Sequence, residues 1–163
     1  MTAPPADIFP LSRPDLPRVT ALARVIWPHA FDGLIPADEI PKIVETLYAP
    51  TQLEADMEAG HAFWIAQVGG RDAGFCAAYK EDTTIWLKKL YILPDMQGHG
   101  LGRLLTDTAV AHFSPAGELA LFVKNDNAKA IAFYRHTGFS VAREVPVVMG
   151  HMHFTDFVMT RPL

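Results

Sequence analysis

The sequence has a single cysteine, Cys76, so no disulfide can form within the chain, and a reducing compartment suits it. Cys76 lies in the apolar segment GFCAAY, where a buried and unreactive thiol is expected. The sequence also lacks any run approaching the roughly 20 apolar residues that a transmembrane helix needs. The first residues, MTAPPADIFPLSRP, lack the basic and apolar parts of a secretory signal peptide. We therefore expect a cytoplasmic protein with no membrane partner.

An excess of positive charge is also missing. The 14 Lys and Arg residues are outnumbered by 18 Asp and Glu residues, which gives a net charge of −4. This balance gives no electrostatic reason to expect a nucleic-acid partner. The 163 residues contain no internal repeat, no low-complexity tract and no linker, so we expect one domain over residues 1–163 with its own core.

The order of apolar patterns and turn signals predicts a mixed α/β (α+β) domain on a mostly antiparallel sheet of about seven strands. The predicted strands cover residues 8–11, 62–68, 74–79, 84–93, 119–123, 139–149 and 152–160. The predicted helices cover residues 12–27, 37–48, 51–60, 100–113 and 128–137. Pro28 is expected to end the first helix, and Thr51 with Glu54 has the spacing of a capping box at the start of the third.

Three alternating glycines, Gly98, Gly100 and Gly102, lie between an apolar strand and a helical pattern. Backbone amides at a helix start have no partners within the helix, and glycine lets an anion approach them closely. A phosphate site is one interpretation, and a flexible strand-to-helix turn is the other. A P-loop is excluded because no Gly-Lys-Ser/Thr is present, and a dinucleotide fingerprint is excluded because Arg103 stands where its third glycine is needed.

Two motifs together resemble the GCN5-related N-acetyltransferases, the GNAT superfamily. The first is Gln97-x-x-Gly100-x-Gly102 after a strand ending in Leu-Tyr-Ile, which resembles motif A of that family. The second is the segment NDNAKAIAFY, which ends at Tyr134 and is followed by Gly138-Phe139, and it resembles motif B. The bacterial spermidine/spermine acetyltransferases are the most similar branch, since IWPHAFDGLIP and the last 16 residues resemble theirs.

The resemblance implies a GNAT fold, with four to five helices and a splayed pair of strands, and acetyl-CoA as the cosubstrate. The cofactor-binding residues that it implies are Leu90, Tyr91, Ile92, Gln97, Gly98, His99, Gly100, Leu101, Gly102 and Asn127. Strand residues 90–92 would act through their main chain, with the Ile92 amide as an oxyanion donor. Asn127 is equally placed to be a helix N-cap. Tyr134 would protonate the leaving thiolate, or else would be an aromatic residue packed under the sheet.

The general base stays unassigned. Many family members have a glutamate where this sequence has Trp86, and Glu81, Asp82 and His153 are only weak candidates. His151 and His153 share a strand face, but with no third ligand evident we expect no metal.

The expected acceptor is the primary amine of a small molecule, for which a polyamine is the first candidate. Residues 27–35 and 147–153 would line its pocket, with carboxylates at positions 32, 38 and 39 and aromatic rings at 27 and 31, although Lys88 and Lys89 weigh against a cation. The alternatives are a non-catalytic acetyl-CoA-binding module and a peptide or protein N-acetyltransferase. An open sheet edge would also permit a homodimer.

Overall fold

Seven strands form one open sheet in the computed structural model, which describes residues 5–163. The strands are β1 (Ala6–Pro10), β2 (Ala62–Val68), β3 (Arg71–Glu81), β4 (Thr84–Ile92), β5 (Glu118–Lys124), β6 (Ser140–Met149) and β7 (Met152–Pro162). They lie in the order β1-β2-β3-β4-β5-β7-β6, and only β4 and β5 are parallel neighbours. The predicted mostly antiparallel sheet of seven strands is confirmed.

Five α-helices cover the two faces of this sheet. They are α1 (Leu16–Ala30), α2 (Ile40–Leu47), α3 (Pro50–Glu58), α4 (Leu101–Phe113) and α5 (Ala128–His136). One apolar core joins α1, α2 and α3 to side chains such as Phe75, and we call that side the α1–α3 face. A second core joins α4 to side chains such as Cys76, with α5 packed beside it, on the α4–α5 face. None of the helices described within residues 5–163 is long and apolar enough to cross a membrane.

Two predicted helix boundaries are wrong. Helix α1 continues through Pro28 to Ala30. A proline removes only one helical hydrogen bond; here the ladder resumes with Phe31 N donating to Trp27 O over 3.0 Å, and the buried Trp27 anchors the last turn.

Helix α3 begins at Pro50 and has no side-chain cap, so the predicted capping box of Thr51 and Glu54 does not form. Proline is favoured in the first helical turn because the N–H that it lacks has no helical partner there. The helix therefore starts one residue before the predicted box.

Candidate active site

Strands β4 and β5 separate soon after they meet. They pair at only three positions, Thr84 with Glu118, Ile85 with Leu119 and Trp86 with Ala120. Beyond these pairs β4 continues beside β3, and β5 continues beside β7. Residues 87–92 of β4 and 121–124 of β5 therefore face each other without pairing. We call this gap the splay.

The main chain of β4 alternates between β3 and the splay. Leu93 N donates to Ala73 O over 2.8 Å, so the alternation of an antiparallel ladder assigns the main chain of Tyr91 to β3 as well. The N–H and C=O groups of Leu90 and Ile92 then point into the splay. Of the three predicted strand residues, Leu90 and Ile92 thus offer main-chain groups there, whereas Tyr91 offers only its side chain.

The predicted glycine loop lies at the start of α4. Gly98 and Gly100 have φ values of 84° and 80°, a left-handed conformation that strongly favours glycine. Gly100 caps α4, and its carbonyl accepts the first helical hydrogen bond from Leu104 N over 3.1 Å. The amides of residues 101–103 therefore have no acceptor inside the helix, at the positive end of its dipole. These donors fit a pyrophosphate group.

Gly102 has a packing reason to be glycine that the sequence did not reveal. A Cβ on Gly102 would lie 3.1 Å from Phe133 Cζ, whereas a Cβ on Gly98 or Gly100 would meet nothing within 4 Å. Gly102 thus lets α4 approach α5, and its amide remains one of the free donors. Beside it, Leu101 anchors the helix start through its buried side chain, while His99 is exposed.

A lysine that the sequence reasoning missed closes one side of this loop. Lys129 Nζ donates to Gln97 Oε1 over 2.8 Å, and Gln97 Nε2 donates to the Ile92 carbonyl over 3.3 Å. The signal was available, since Lys129 lies in the first turn of α5 within the second motif. Gln97 thus connects the splay, the loop and α5.

Asn127 caps α5, because its Oδ1 accepts from Ala130 N over 3.2 Å. This geometry fits the N-cap interpretation and uses only the oxygen of the side-chain amide. The Nδ2 group remains able to donate to a ligand, so the two interpretations of Asn127 are compatible.

Tyr134 lies on α5 with its ring packed edge-on to Phe139, at a centroid distance of 5.5 Å. Burial raises the pKa of Tyr134 well above the ordinary value for a phenol. Burial also raises the pKa of Tyr91, and the charges of Tyr134 and Asp156 add to that effect. The Tyr134 and Tyr91 side chains belong to cores on opposite faces of the sheet.

Of the two segments expected to line the acceptor pocket, residues 147–153 pack Met149 and Met152 against the α1–α3 core, which also holds Trp27, Phe31 and Ile35. His151 Nε2 in the β6–β7 turn lies 3.7 Å from Glu39 Oε1, just before α2. A cavity of about 430 Å³ lies beside α2, and Asp32 is among its lining residues. The aromatic rings of Trp27 and Phe31 do not line this cavity; they are buried, with centroids 5.7 and 6.3 Å from that of Tyr91.

Lys89 faces the same side but is directed away from the cavity lining. Its Nζ lies 3.9 Å from Asp56 Oδ2 and 5.2 Å from the centroid of the Tyr48 ring. Burial lowers the pKa of Lys89 to about 8, and the carboxylate of Asp56 partly opposes this shift. Within residues 5–163 no group of three or more His, Cys, Asp or Glu side chains is arranged to hold a metal ion.

Comparisons with known proteins agree with this geometry. The acetyltransferase (GNAT) domain family matches residues 59–141, just over half of the chain. A probable N-acetyltransferase of Mycobacterium tuberculosis is 30% identical over 136 residues, which cover 78% of this chain and 75% of that protein. An uncharacterized N-acetyltransferase of Mycobacterium bovis is 27% identical over 153 residues, which cover 91% and 98%.

A solved structure shares the fold. The PaiA N-acetyltransferase of Thermoplasma acidophilum, in complex with coenzyme A, superposes with a TM-score of 0.82 over 98% of this chain and 99% of that one, at 22% identity. The GNAT fold is therefore confirmed, and a catalytic protein is favoured over a non-catalytic module. The chain belongs to the GNAT superfamily and is an acetyl-CoA-dependent N-acetyltransferase.

Proposed function

We propose that this protein transfers the acetyl group of acetyl-CoA to a primary amine of a small molecule, by direct attack of the amine on the thioester. The observation that carries this proposal is the splay, which lies between the glycine loop and α5 on one face and the Tyr91 side chain on the other. A thioester held in the gap would be open to an acceptor from the α1–α3 face. We propose that residues 1–163 form the single domain that performs this reaction.

The loop and the splay would share the binding of acetyl-CoA. Residues Gln97 to Gly102 would hold the pyrophosphate through the free amides at the start of α4. The pantetheine arm would extend along β4, paired with the main chain of Leu90 and Ile92. The Asn127 amide, free on its nitrogen side, would donate to a carbonyl of the arm.

Tyr134 would act as the acid when coenzyme A leaves. Since burial raises its pKa, the hydroxyl stays protonated at neutral and mildly alkaline pH. It would give its proton to the departing sulfur and recover one from the attacking nitrogen. The Ile92 amide would stabilise the developing oxyanion, a role typically worth about 3 kcal/mol.

A polyamine is the acceptor that we would test first. Asp32 lines the cavity, and Glu39, next to the lining residue Ile40, lies beside His151, so carboxylates are available to a cation. The charge of Lys89, which weighs against a cation, is directed at Asp56. The spermidine/spermine branch therefore stays a prediction supported by charge and position.

An amine panel tests the proposal. Wild-type protein and acetyl-CoA are incubated with spermidine, kanamycin and the dipeptide alanylglycine, and acetylated products are detected by mass spectrometry. We expect acetylspermidine, with turnover reduced about 100-fold by Tyr134→Phe and little changed by Tyr79→Phe. If no amine is acetylated, the proposed acceptor class is wrong; if Tyr134→Phe is as active as wild type, its acid role is wrong.

Pairing of two copies also stays a prediction. Strands β1 and β6 are the two edges of the sheet, and most of β6 is exposed. Its free main-chain groups would allow a second copy to extend the sheet. Sedimentation velocity tests this, since a species with twice the mass of the chain is expected at micromolar concentration.

A further inference from the structure

Asp156 lies on β7, opposite Lys124 at the end of β5 that borders the splay. Side chains alternate along a strand. Phe154, two residues earlier, packs with the α1–α3 core, whereas Phe157 packs with the other core. The Asp156 carboxylate is therefore on the α1–α3 face, the face from which an acceptor would approach.

The neighbours of Asp156 leave its carboxylate available. Lys124, the nearest cation by register, donates instead to both carboxylate oxygens of Asp126, over 2.7 and 2.9 Å. Within residues 5–163 the Asp156 carboxylate receives no hydrogen bond and forms no ion pair. Burial raises the pKa of Asp156, and the charge of Lys124 only partly opposes this shift.

Asp156 and Tyr134 border the splay from opposite faces. Asp156 pairs with Lys124 at the end of β5, on the same face as Phe154, and Tyr91 of β4 packs with the core of that face. Tyr134 belongs to the α4–α5 core and Asp156 faces the other side. A proton donor and a free carboxylate thus approach the same gap from opposite faces.

We propose that Asp156 is the general base that accepts a proton from the ammonium group of the acceptor. This inference rests on the proposed function, because it requires an amine acceptor. Strand β4 contains no Asp or Glu, and on this face its Trp86 stacks on Phe122, with ring centroids 5.0 Å apart. Glu81 and Asp82 lie at the turn before β4, at the opposite end from Ile92.

The protons balance in this scheme. The acceptor ammonium gives one proton to an Asp156 Oδ atom, and the freed nitrogen electron pair forms the C–N bond to the thioester carbon. The C–S bond breaks with its electron pair on sulfur, which takes the proton of Tyr134. The nitrogen then restores the Tyr134 hydroxyl with its second proton, and Asp156 releases its proton to water.

The test compares Asp156→Asn with Glu144→Gln, a matched loss of charge at an exposed position on the neighbouring strand β6. Initial rates are measured from pH 6 to 10 with the first amine of the panel that the wild type acetylates. We expect Asp156→Asn to lower kcat/KM about 100-fold at pH 7. The loss should shrink as the pH approaches the alkyl ammonium pKa of about 10.4, where neutral amine no longer needs a base. Glu144→Gln should follow the wild type.

The groups around Asp156 would not by themselves cause a loss of kcat/KM that shrinks as the pH rises. Tyr91 and Tyr134 stay protonated over this range because burial raises their pKa values. Lys124 is bound to Asp126. The residue of β6 opposite Asp156 is Val145, which does not titrate, and α1 contributes apolar rings such as Trp27. A loss confined to KM, or one of equal size at every pH, would overturn the role as base. So would wild-type activity in Asp156→Asn.

A second measurement needs no acceptor and separates this inference from the proposed function. The Asp156 carboxyl can be titrated by ¹³C NMR in the wild type, with the Asp156→Asn spectrum as assignment control. A pKa clearly above the ordinary value of about 3.9 supports the inference. A pKa at or below that value would refute it, whether or not any amine in the panel is acetylated.

Discussion

Lys129 Nζ lies 2.8 Å from Gln97 Oε1, and this hydrogen bond joins the first turn of α5 to the loop before α4. Gln97 also donates to the main-chain carbonyl of Ile92, at the edge of the splay. A cation is thus held two residues beyond Asn127, beside the free amides that would receive a pyrophosphate. Lys129 is exposed, so it can turn from Gln97 to a phosphate without being desolvated.

Lys129→Met should therefore weaken coenzyme A binding. We expect about a tenfold rise in Kd at low salt and a much smaller one near 1 M NaCl, where the Debye length is only about 3 Å. Isothermal titration calorimetry at both salt concentrations measures the effect. Lys80→Met, an exposed lysine near the far end of β3, serves as control and should bind like the wild type. Equal affinity of Lys129→Met and the control would exclude a phosphate contact.

The two glycines at the start of α4 should respond differently to alanine. Gly100→Ala places a side chain at φ 80°, which costs about 1–2 kcal/mol although space is available. Gly102→Ala brings a Cβ within 3.1 Å of Phe133 Cζ, the end of a partly exposed ring that can shift, so we expect less than about 1 kcal/mol. Urea denaturation measures the free energy of unfolding of both variants. A larger loss of stability in Gly102→Ala than in Gly100→Ala would contradict this expectation.

Lys89 makes stability depend on pH. Its pKa is about 8 in the folded protein and about 10.4 in an unfolded chain. Below pH 8 both states carry the charge, so the folded state bears the full burial cost, about 3 kcal/mol. As the pH rises from 8 to 10.4 the folded state is already neutral, and this cost disappears.

Lys89→Met should accordingly stabilise the protein by about 1–3 kcal/mol at pH 6.5, with most of that gain lost by pH 10. Urea denaturation at the two pH values measures it. Lys88→Met changes the exposed neighbouring lysine and should have little effect at either pH. A gain for Lys89→Met that is independent of pH would mean that packing, and not the buried charge, is responsible.

The sequence predicted what local patterns determine. Alternating glycines and an Asn-to-Tyr helix indicated the family, and apolar periodicity predicted the seven strands and the helices of the fold. It failed at two helix boundaries. A tertiary contact, the burial of Trp27, carries α1 past Pro28, whereas α3 starts at Pro50 through a local preference of proline that the prediction did not use.

The side-chain environment at the splay could not be predicted from the sequence either. The availability of Asp156 depends on the register of β7 against β5 and on the preference of Lys124 for Asp126. The packing reason for Gly102 depends on how closely α5 approaches α4. Neither relationship has a signal in the spacing of residues along the chain.

Thermal unfolding with acetyl-CoA, coenzyme A, ATP and NAD tests the central claim, that the loop at the start of α4 holds the cosubstrate. A ligand that binds only the folded state raises the midpoint according to RT ln(1 + [L]/Kd). We predict a rise for the wild type with acetyl-CoA and coenzyme A alone. The rise should be lost in Gly100→Glu and kept in Gly60→Glu, which strains another left-handed glycine, at the end of α3. A full rise in Gly100→Glu would contradict the account.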